Sequence, residues 1–523
     1  MIINYKNINR LKKYNFLKIK KKNNKRKKVL LIDRGQVEGV VFNSLCSVLL
    51  NKKYNYNIDL LINYLGKNNP ILKIYESFGF TKIININIKK NFKNYFLIIR
   101  SFFLFFISVF KISFYGKPWF IQKFSLLNIY FGDIIYDHYV RQNLNFLKKK
   151  LLNFSFLKLL FISIYKILLL NSIIQKKKYK FVLSPSHTYA TNPSLGMRIA
   201  LKKKITVINI LSSRIRIYSK LNQAFRGEII LDTKFLKNKK IFNNFWEKKF
   251  NLMMEQRLKG KIKFYTAKNA YKNKLELNKN SLFKTLKIKK DDYKRVVFFA
   301  PHCFSDANHA LGKFIFNSYF EQFTKTVKFA EKDNQSLWII KIHPSSHIYK
   351  EEKIIYNFLK NNHVKNIIIC PEDIKPISII KISDLIISGR GTIPLECAIM
   401  GKKAIIAGET FYSGHGISIE PKTQKEYFNK ILSLNKKKNL SRNKITLAKK
   451  LFYLLVFKNS HLKKDLISRS NYINLNEKKN KIVQDSFDQN IFLEKISYQL
   501  KDKINLMNDQ IIKNYDKEIL KYI

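Results

Sequence analysis

Cysteine is scarce and scattered in this chain. Cys46, Cys303, Cys370 and Cys397 form no CxxC pair and no His-spaced cluster, which excludes a disulfide framework and a zinc site and fits a reducing cytosol. The first 28 residues are basic and lack an apolar h-region, so no secretory signal is expected there. No internal repeat is present. Two aromatic-rich runs, Tyr95 to Tyr115 and Leu151 to Ile174, fall short of the 18 or more uninterrupted apolar residues of a spanning helix. Arg100 and Lys111 split the first, and Lys158 and Lys166 lie inside the second. They read as buried core helices, with a membrane-facing amphipathic surface as the other reading. Acidic residues are also few: 35 Asp and Glu stand against 100 Lys and Arg, a formal charge of +65. Such a balance ordinarily points to nucleic acid or an anionic membrane. Here Lys, Asn and Ile dominate strands, helices and loops alike, as a coding bias would produce. What survives is a general, salt-weakened attraction to polyanions and anionic lipid, without any RNA- or DNA-reading motif.

What is present is a long α/β alternation. At 523 residues and 46% hydrophobic content, the chain can build two to four domains with large cores. Residues 1–28 read as a loosely ordered basic lead-in. Val29 to Asp33 reads as a buried strand broken at Arg34-Gly35 and followed by a helix, a Rossmann-like start without the GxGxxG fingerprint. Further strands are expected at Asp59 to Ile62, Lys82 to Ile88, Lys178 to Ser184 and Ile205 to Ile210. His187 follows the strand Lys178 to Ser184, at the edge where open α/β sheets bind ligands. Within Phe131 to Arg141, Asp133, Asp137 and Arg141 repeat at four-residue spacing on one helix face, so Asp137 and Arg141 can pair. Residues 211–290 carry no interpretable motif. A polar linker is expected near Asn278 to Asp292, after which Arg295 to Ala300, Ser336 to Ile342 and Asn366 to Cys370 continue as strands, with helices at Tyr319 to Glu331 and Glu351 to Leu359. The expected domains are 29–285 and 286–430, with a helical extension over 431–523.

The most informative stretch runs from Lys381 to Glu420. Asp384 to Ser388 is a buried strand, Gly389-Arg390-Gly391-Thr392 a turn, Ile393 to Met400 a short helix stopped at Gly401, and Ala404 to Ala407 the next strand. Thr392 is the expected N-cap, with Pro394 in the first turn. A capping box would need its acid at position 395, where Leu395 stands. Glu396 is therefore left over, about one turn beyond a loop whose free N–H groups can hold a phosphate.

This unit resembles the nucleotide-sugar site of GT-B glycosyltransferases, and in detail the capsule and surface polysaccharide biosynthesis group, to which Gly408 to Gly416, GETFYSGHG, is also similar. The resemblance implies an α/β, GT-B-like fold of two Rossmann-like domains facing across a cleft, with a helical C-terminal extension. It implies a donor site in which Ser388, Gly389, Arg390, Gly391 and Thr392 hold phosphate and Glu396 takes the ribose hydroxyls. Lys341-Ile-His343-Pro344 is similar to the K-x-HP motif of sialyltransferase-like and capsule transferases, which implies that Lys341 belongs to the donor site and that His343 contacts the donor phosphate. Ser388 to Thr392 stands where those sialyltransferases carry paired serines, so a sialic acid donor is not implied. Ala300 to His309 resembles the loop that reaches across the cleft in the same group, and Gly132 to Arg141 resembles a segment that lines the acceptor side with Asp133, Asp137 and Arg141.

Glycosyl transfer needs charge stabilisation at the departing phosphate and a base for the acceptor hydroxyl. No DxD-like pair stands in a strand-end context, and the GT-B resemblance implies a metal-independent reaction without a cofactor. Asp306, His309, Asp33 and Glu38 are the candidate bases, and spacing does not choose among them. The expected partners are a nucleotide sugar and a lipid-linked or growing polysaccharide acceptor, with no nucleic acid. The expected place is the cytoplasm, with peripheral contact at the inner face of the membrane. A sugar-nucleotide 2-epimerase, a CDP-polyol phosphotransferase and a non-catalytic polysaccharide-assembly factor are the alternatives for the same fold.

Overall fold

The computed structural model describes residues 3–20, 26–63, 69–86, 95–142, 144–148, 150–186, 188–211, 214–225, 236, 242–261, 265–288, 293–361, 366–433, 439–460, 489–502, 507 and 510–521. The chain divides into two compact units. The first comprises residues 1–139, 150–227 and 461–523, and the second residues 140–149 and 228–460.

In the first unit, β1 (Lys28–Ile32), β2 (Asn57–Ile62) and β3 (Ile83–Asn85) are followed by a small hairpin, β4 (Ser125–Leu126) and β5 (Ile129–Tyr130), and then by β6 (Tyr179–Ser184), β7 (Thr206–Leu211) and β8 (Arg214–Tyr218). The main sheet has the order β3-β2-β1-β6-β7-β8. Its strands are parallel except β8, which returns antiparallel to β7. Helices cover both faces, and so Val29 to Ile32 and Leu60 to Ile62 are buried as unbroken apolar runs. The helix Val37–Lys52 is buried along almost its whole length.

The N-terminal lead-in is not loose throughout. Asn4 caps a helix over Tyr5–Tyr14, and Ile8 and Leu11 on one face enter the main core. Phe492, Leu493 and Ile496 of the helix Gln489–Lys501 join the same core, as does Ile519 of the helix Gln510–Leu520, so the C-terminal helices pack on the first unit.

The two aromatic runs part company. Both helices, Tyr95–Lys123 and Phe154–Lys176, are long and apolar enough to cross a membrane by length and composition. The second is a core helix as expected, with 56% of its most apolar window buried. For the first that share is 17%, which overturns the core reading. It touches its neighbour through a narrow seam of Ser101, Ser108 and Ile112 and leaves its aromatic side outside.

The second unit contains β9 (Arg295–Ala300), β10 (Ser336–Ile340), β11 (Ile367–Ile369), β12 (Leu385–Ser388) and β13 (Ala404–Ile406). They form one parallel sheet in the order β11-β10-β9-β12-β13. Residues 228–285, expected with the first domain, belong here because Trp246 and Phe250 share a core with Leu395, Ala398 and Phe452. Leu282 and Leu286, in the expected linker, are buried in the core beneath β9, β10 and β12. The fold class is α/β, with two Rossmann-like units and helices at the C-terminal end.

Candidate active site in the second unit

A parallel sheet leaves a crevice outside the carboxyl ends of its strands wherever the order reverses. In the second unit that reversal falls between β9 and β12. Ser388 closes the base of the crevice: its buried hydroxyl donates to the carbonyls of Ala300, at 3.0 Å, and Arg390, at 2.9 Å.

On the β9 side, His302 lies between two rings. It stacks on Tyr319 at 4.5 Å between centroids and on His343, beyond the end of β10, at 5.1 Å. His343 is half-buried, and its enclosure together with His302 pushes the imidazole down to about 3. Its tautomer follows from its neighbours. The backbone N–H of Ser345 can only donate, and it points to Nδ1 at 3.2 Å, where the Cys303 thiol also lies at 3.0 Å. Nδ1 is therefore an acceptor, and the neutral ring carries its proton on Nε2.

The loop that carries these groups is fixed from below. Glu351 is fully buried and accepts the N–H groups of Phe304, at 2.9 Å, and Ser305, at 2.7 Å; burial nevertheless pushes its carboxyl up to about 7. Asp306 is the half-buried acid of this loop, 3.9 Å from Arg141 Nη1 and 3.9 Å from His302 Nδ1. His309 has Nε2 3.0 Å from the carbonyl of Asn317. The ammonium of Lys341 donates to the carbonyls of Pro371 and Glu372, and burial lowers it to about 8. That side chain acts as a tether between the ends of β10 and β11.

On the β12 side, Gly391 adopts φ +96°, a backbone that favours glycine, and a Cβ added there would meet no atom of the described residues within 4 Å. Gly389 is different. A Cβ on it would come within 2.8 Å of Gln322 Oε1 and 3.1 Å of the Tyr319 ring, so this turn packs directly on the residue beneath His302. Arg390 is buried; its Nη2 donates to the carbonyls of Gly312, at 2.8 Å, and Lys313, at 2.9 Å, while Nε and Nη1 have no hydrogen-bond partner among the described residues. Tyr412, in the second glycine-rich motif, donates to the Gly391 carbonyl at 2.8 Å and ties the two motifs together.

Thr392 occupies the N-cap position of the helix Ile393–Ile399 but makes no side-chain cap. Its hydroxyl instead accepts from Arg257 Nη2 at 3.2 Å. Glu396 is buried, and its carboxylate is engaged. Oε1 accepts from Arg257 Nε at 3.1 Å and Nη2 at 2.5 Å, and Oε2 accepts from the Tyr271 hydroxyl, which burial and Glu396 push far above the usual phenol range.

In the first unit, Asp33 follows β1 and accepts from the Tyr75 hydroxyl at 2.9 Å. Glu38 is buried in the first turn of its helix. Asp133 and Arg198 form a buried two-pronged ion pair at 2.6 Å for each prong. Asp137 is fully buried on the same helix as Asp133. His187 lies outside the described residues. The second unit thus gathers His343, Asp306, Ser388, Gly389, Arg390 and Gly391 at one sheet edge. Arg257, Tyr271, Tyr319 and Glu351 were not foreseen: each acts through a partner distant in sequence, and no local spacing signals it. Among the described residues, no three His, Cys, Asp or Glu side chains are gathered as metal ligands.

No curated protein matches the chain. Among solved structures, a UDP-GlcNAc 2-epimerase from Neisseria meningitidis aligns with 12% identity over 83% of this chain and 100% of its own, at TM-score 0.24. A glycosyltransferase from Rickettsia africae aligns with 11% identity over 95% and 98%, at TM-score 0.22. KpsC, beta Kdo 2,4 transferase, of Thermosulfurimonas dismutans aligns with 13% identity over 52% and 87%, at TM-score 0.28. These likenesses are too distant to carry a reaction or residue roles. The family model described as capsule polysaccharide biosynthesis protein matches residues 209–453, which contain the whole β9 to β13 sheet and its strand-end loops. Over that span the chain is similar to the capsule polysaccharide biosynthesis proteins that this model describes.

Proposed function

We propose that the protein is a glycosyltransferase of capsule or surface polysaccharide synthesis that moves a sugar from a nucleotide-activated donor to a carbohydrate acceptor. The observation that carries this reading is His343, a neutral imidazole with its proton on Nε2, at the strand-end edge that also holds the Gly389 to Thr392 turn. In the reaction the bond from the anomeric carbon to the donor phosphate breaks, and the electron pair leaves with the nucleotide. Charge grows on the leaving oxygen, and a preset N–H donor is worth most at that moment. His343 Nε2–H serves as that donor, the Gly391 turn binds phosphate through its backbone, and Arg390 adds positive charge from below. The reading assigns phosphate charge to these protein groups, with no metal or cofactor. Asp306, the half-buried acid of the same edge, takes the proton of the acceptor hydroxyl as its oxygen bonds to the anomeric carbon; His309 is the weaker candidate because its Nε2 faces a carbonyl. Glu396 is assigned a positioning role, holding Arg257 against Thr392, in place of the ribose contact that the motif alone implies. The acceptor is a lipid-linked or growing glycan at the cytoplasmic face of the membrane.

The test is a thermal-shift panel of CMP-, UDP-, GDP- and CDP-linked sugars, since binding stabilises by mass action. The donor that binds is then incubated with and without oligosaccharide acceptor. Nucleotide release that requires acceptor supports the transferase. Conversion of the donor sugar to its 2-epimer without acceptor, or the absence of any nucleotide-sugar binding, overturns it.

A further inference from the structure

The helix Tyr95–Lys123 is interrupted at Gly116, where φ +74° and ψ −176° break it just before Pro118. At 100° per residue, the buried seam of Ser101, Ser108 and Ile112 occupies one narrow side. Phe96, Ile99, Phe103, Phe106, Phe110 and Phe114 fall on the opposite side, and all are exposed, Phe103 by 66% and Phe110 by 72%. Ring contacts Phe102–Phe161 and Phe105–Phe161 flank the seam and hold the helix to Phe154–Lys176 without covering the outer face. Soluble surfaces rarely leave so continuous an apolar stripe uncovered.

We propose that this stripe docks on an anionic lipid bilayer, with the helix lying in the headgroup region. Charge selects this occupant. The sequence has no Asp or Glu between Glu76 and Asp133, nor between Asp137 and Glu228. Arg100 and Lys111 lie exposed beside the stripe, and Lys123 ends the helix. A second copy of a chain carrying +65 would bring like charge to like charge, whereas phosphate headgroups bring the opposite sign. Tyr95 at one end, and Tyr115 with Trp119 at the other, suit the boundary between lipid and water. Two observations favour lying over spanning: Arg100 and Lys111 would both have to enter hydrocarbon, and the neighbouring helix is largely enclosed by its own unit.

The full chain is mixed with vesicles of phosphatidylcholine alone or with 30% phosphatidylglycerol (about the fraction that gives a strongly negative surface) and floated at low and high salt. The variant Phe103→Glu/Phe106→Glu/Phe110→Glu changes exposed side chains only, and circular dichroism and melting check its fold. The expected result is co-flotation with the anionic vesicles, weakened by salt, and at least a tenfold loss of partitioning in the folded variant. Absence of flotation at low salt, or equal flotation of variant and wild type, overturns the proposal. So does a wild-type dimer in vesicle-free solution that the variant converts to monomer, because a second copy would then own the stripe.

Discussion

Arg257 and Glu396 meet as a buried ion pair although 139 positions separate them in the chain. The guanidinium reaches Thr392 as well, and the Tyr271 hydroxyl completes the carboxylate. Removing one partner strands the other charge in the interior. Glu396→Ala is expected to destabilise the second unit by about 3–5 kcal/mol, and Glu396→Gln by less, measured as the change in denaturant midpoint. A Glu396→Ala protein that melts like wild type and loses only nucleotide affinity would restore the ribose-binding role.

His343→Ala is expected to lower turnover roughly a hundredfold while changing donor affinity little, because a donor to the leaving oxygen acts mainly in the transition state. Donor titration and single-turnover kinetics on the same preparation separate the two. Loss of affinity with unchanged turnover would make His343 a ground-state contact.

Acid should weaken the fold through the same ring. The folded imidazole is held at about 3, against an ordinary value of 6.5, so between these values the unfolded chain binds a proton that the folded one refuses. Stability from His343 is fully present above about 6.5 and is lost as pH falls toward about 3, by at most about 1.4 kcal/mol per pH unit. Denaturant melts from pH 7 to 4 should show a shallower decline for His343→Gln than for wild type.

Gly391→Ala and Gly389→Ala should differ in kind. At Gly391 there is room but φ is +96°, so alanine should cost about 1–2 kcal/mol through the backbone and weaken every nucleotide donor alike. At Gly389 the new methyl presses on Gln322 and Tyr319, and turnover should fall because Tyr319 supports His302. Calorimetric titration with each donor, beside turnover, checks both.

Lys341→Met should leave nucleotide affinity within about twofold of wild type and cost about 1 kcal/mol of stability, since the ammonium is bound to two main-chain carbonyls of its own fold. A tenfold loss of affinity in a protein of unchanged stability would return Lys341 to the donor site.

Much of the α/β pattern was legible because buried parallel strands announce themselves as short apolar runs between turn residues. Arg295 to Ala300 and the helix Tyr319–Glu331 stand at their expected bounds. The short helix Tyr5–Tyr14 was hidden in a basic, Asn-rich segment, where only Asn4, Ile8 and Leu11 mark the cap and the buried face. The antiparallel β8 was hidden in residues without a motif.

The local chemistry of the site, a strand-end histidine and a glycine turn before a short helix, was set by the sequence itself, because turn geometry and strand ends depend on neighbouring residues. What those side chains face was decided only by tertiary structure. Glu396 could be read as free for a ligand until Arg257 and Tyr271 folded onto it, and Lys341 until the ends of β10 and β11 closed around it. The same holds for the two aromatic helices: nearly equal in hydropathy, they differ in burial because one is enclosed by its unit and the other touches it along a single seam. Burial and charge pairing are properties of long-range contacts, and residue type alone does not say which contacts will form.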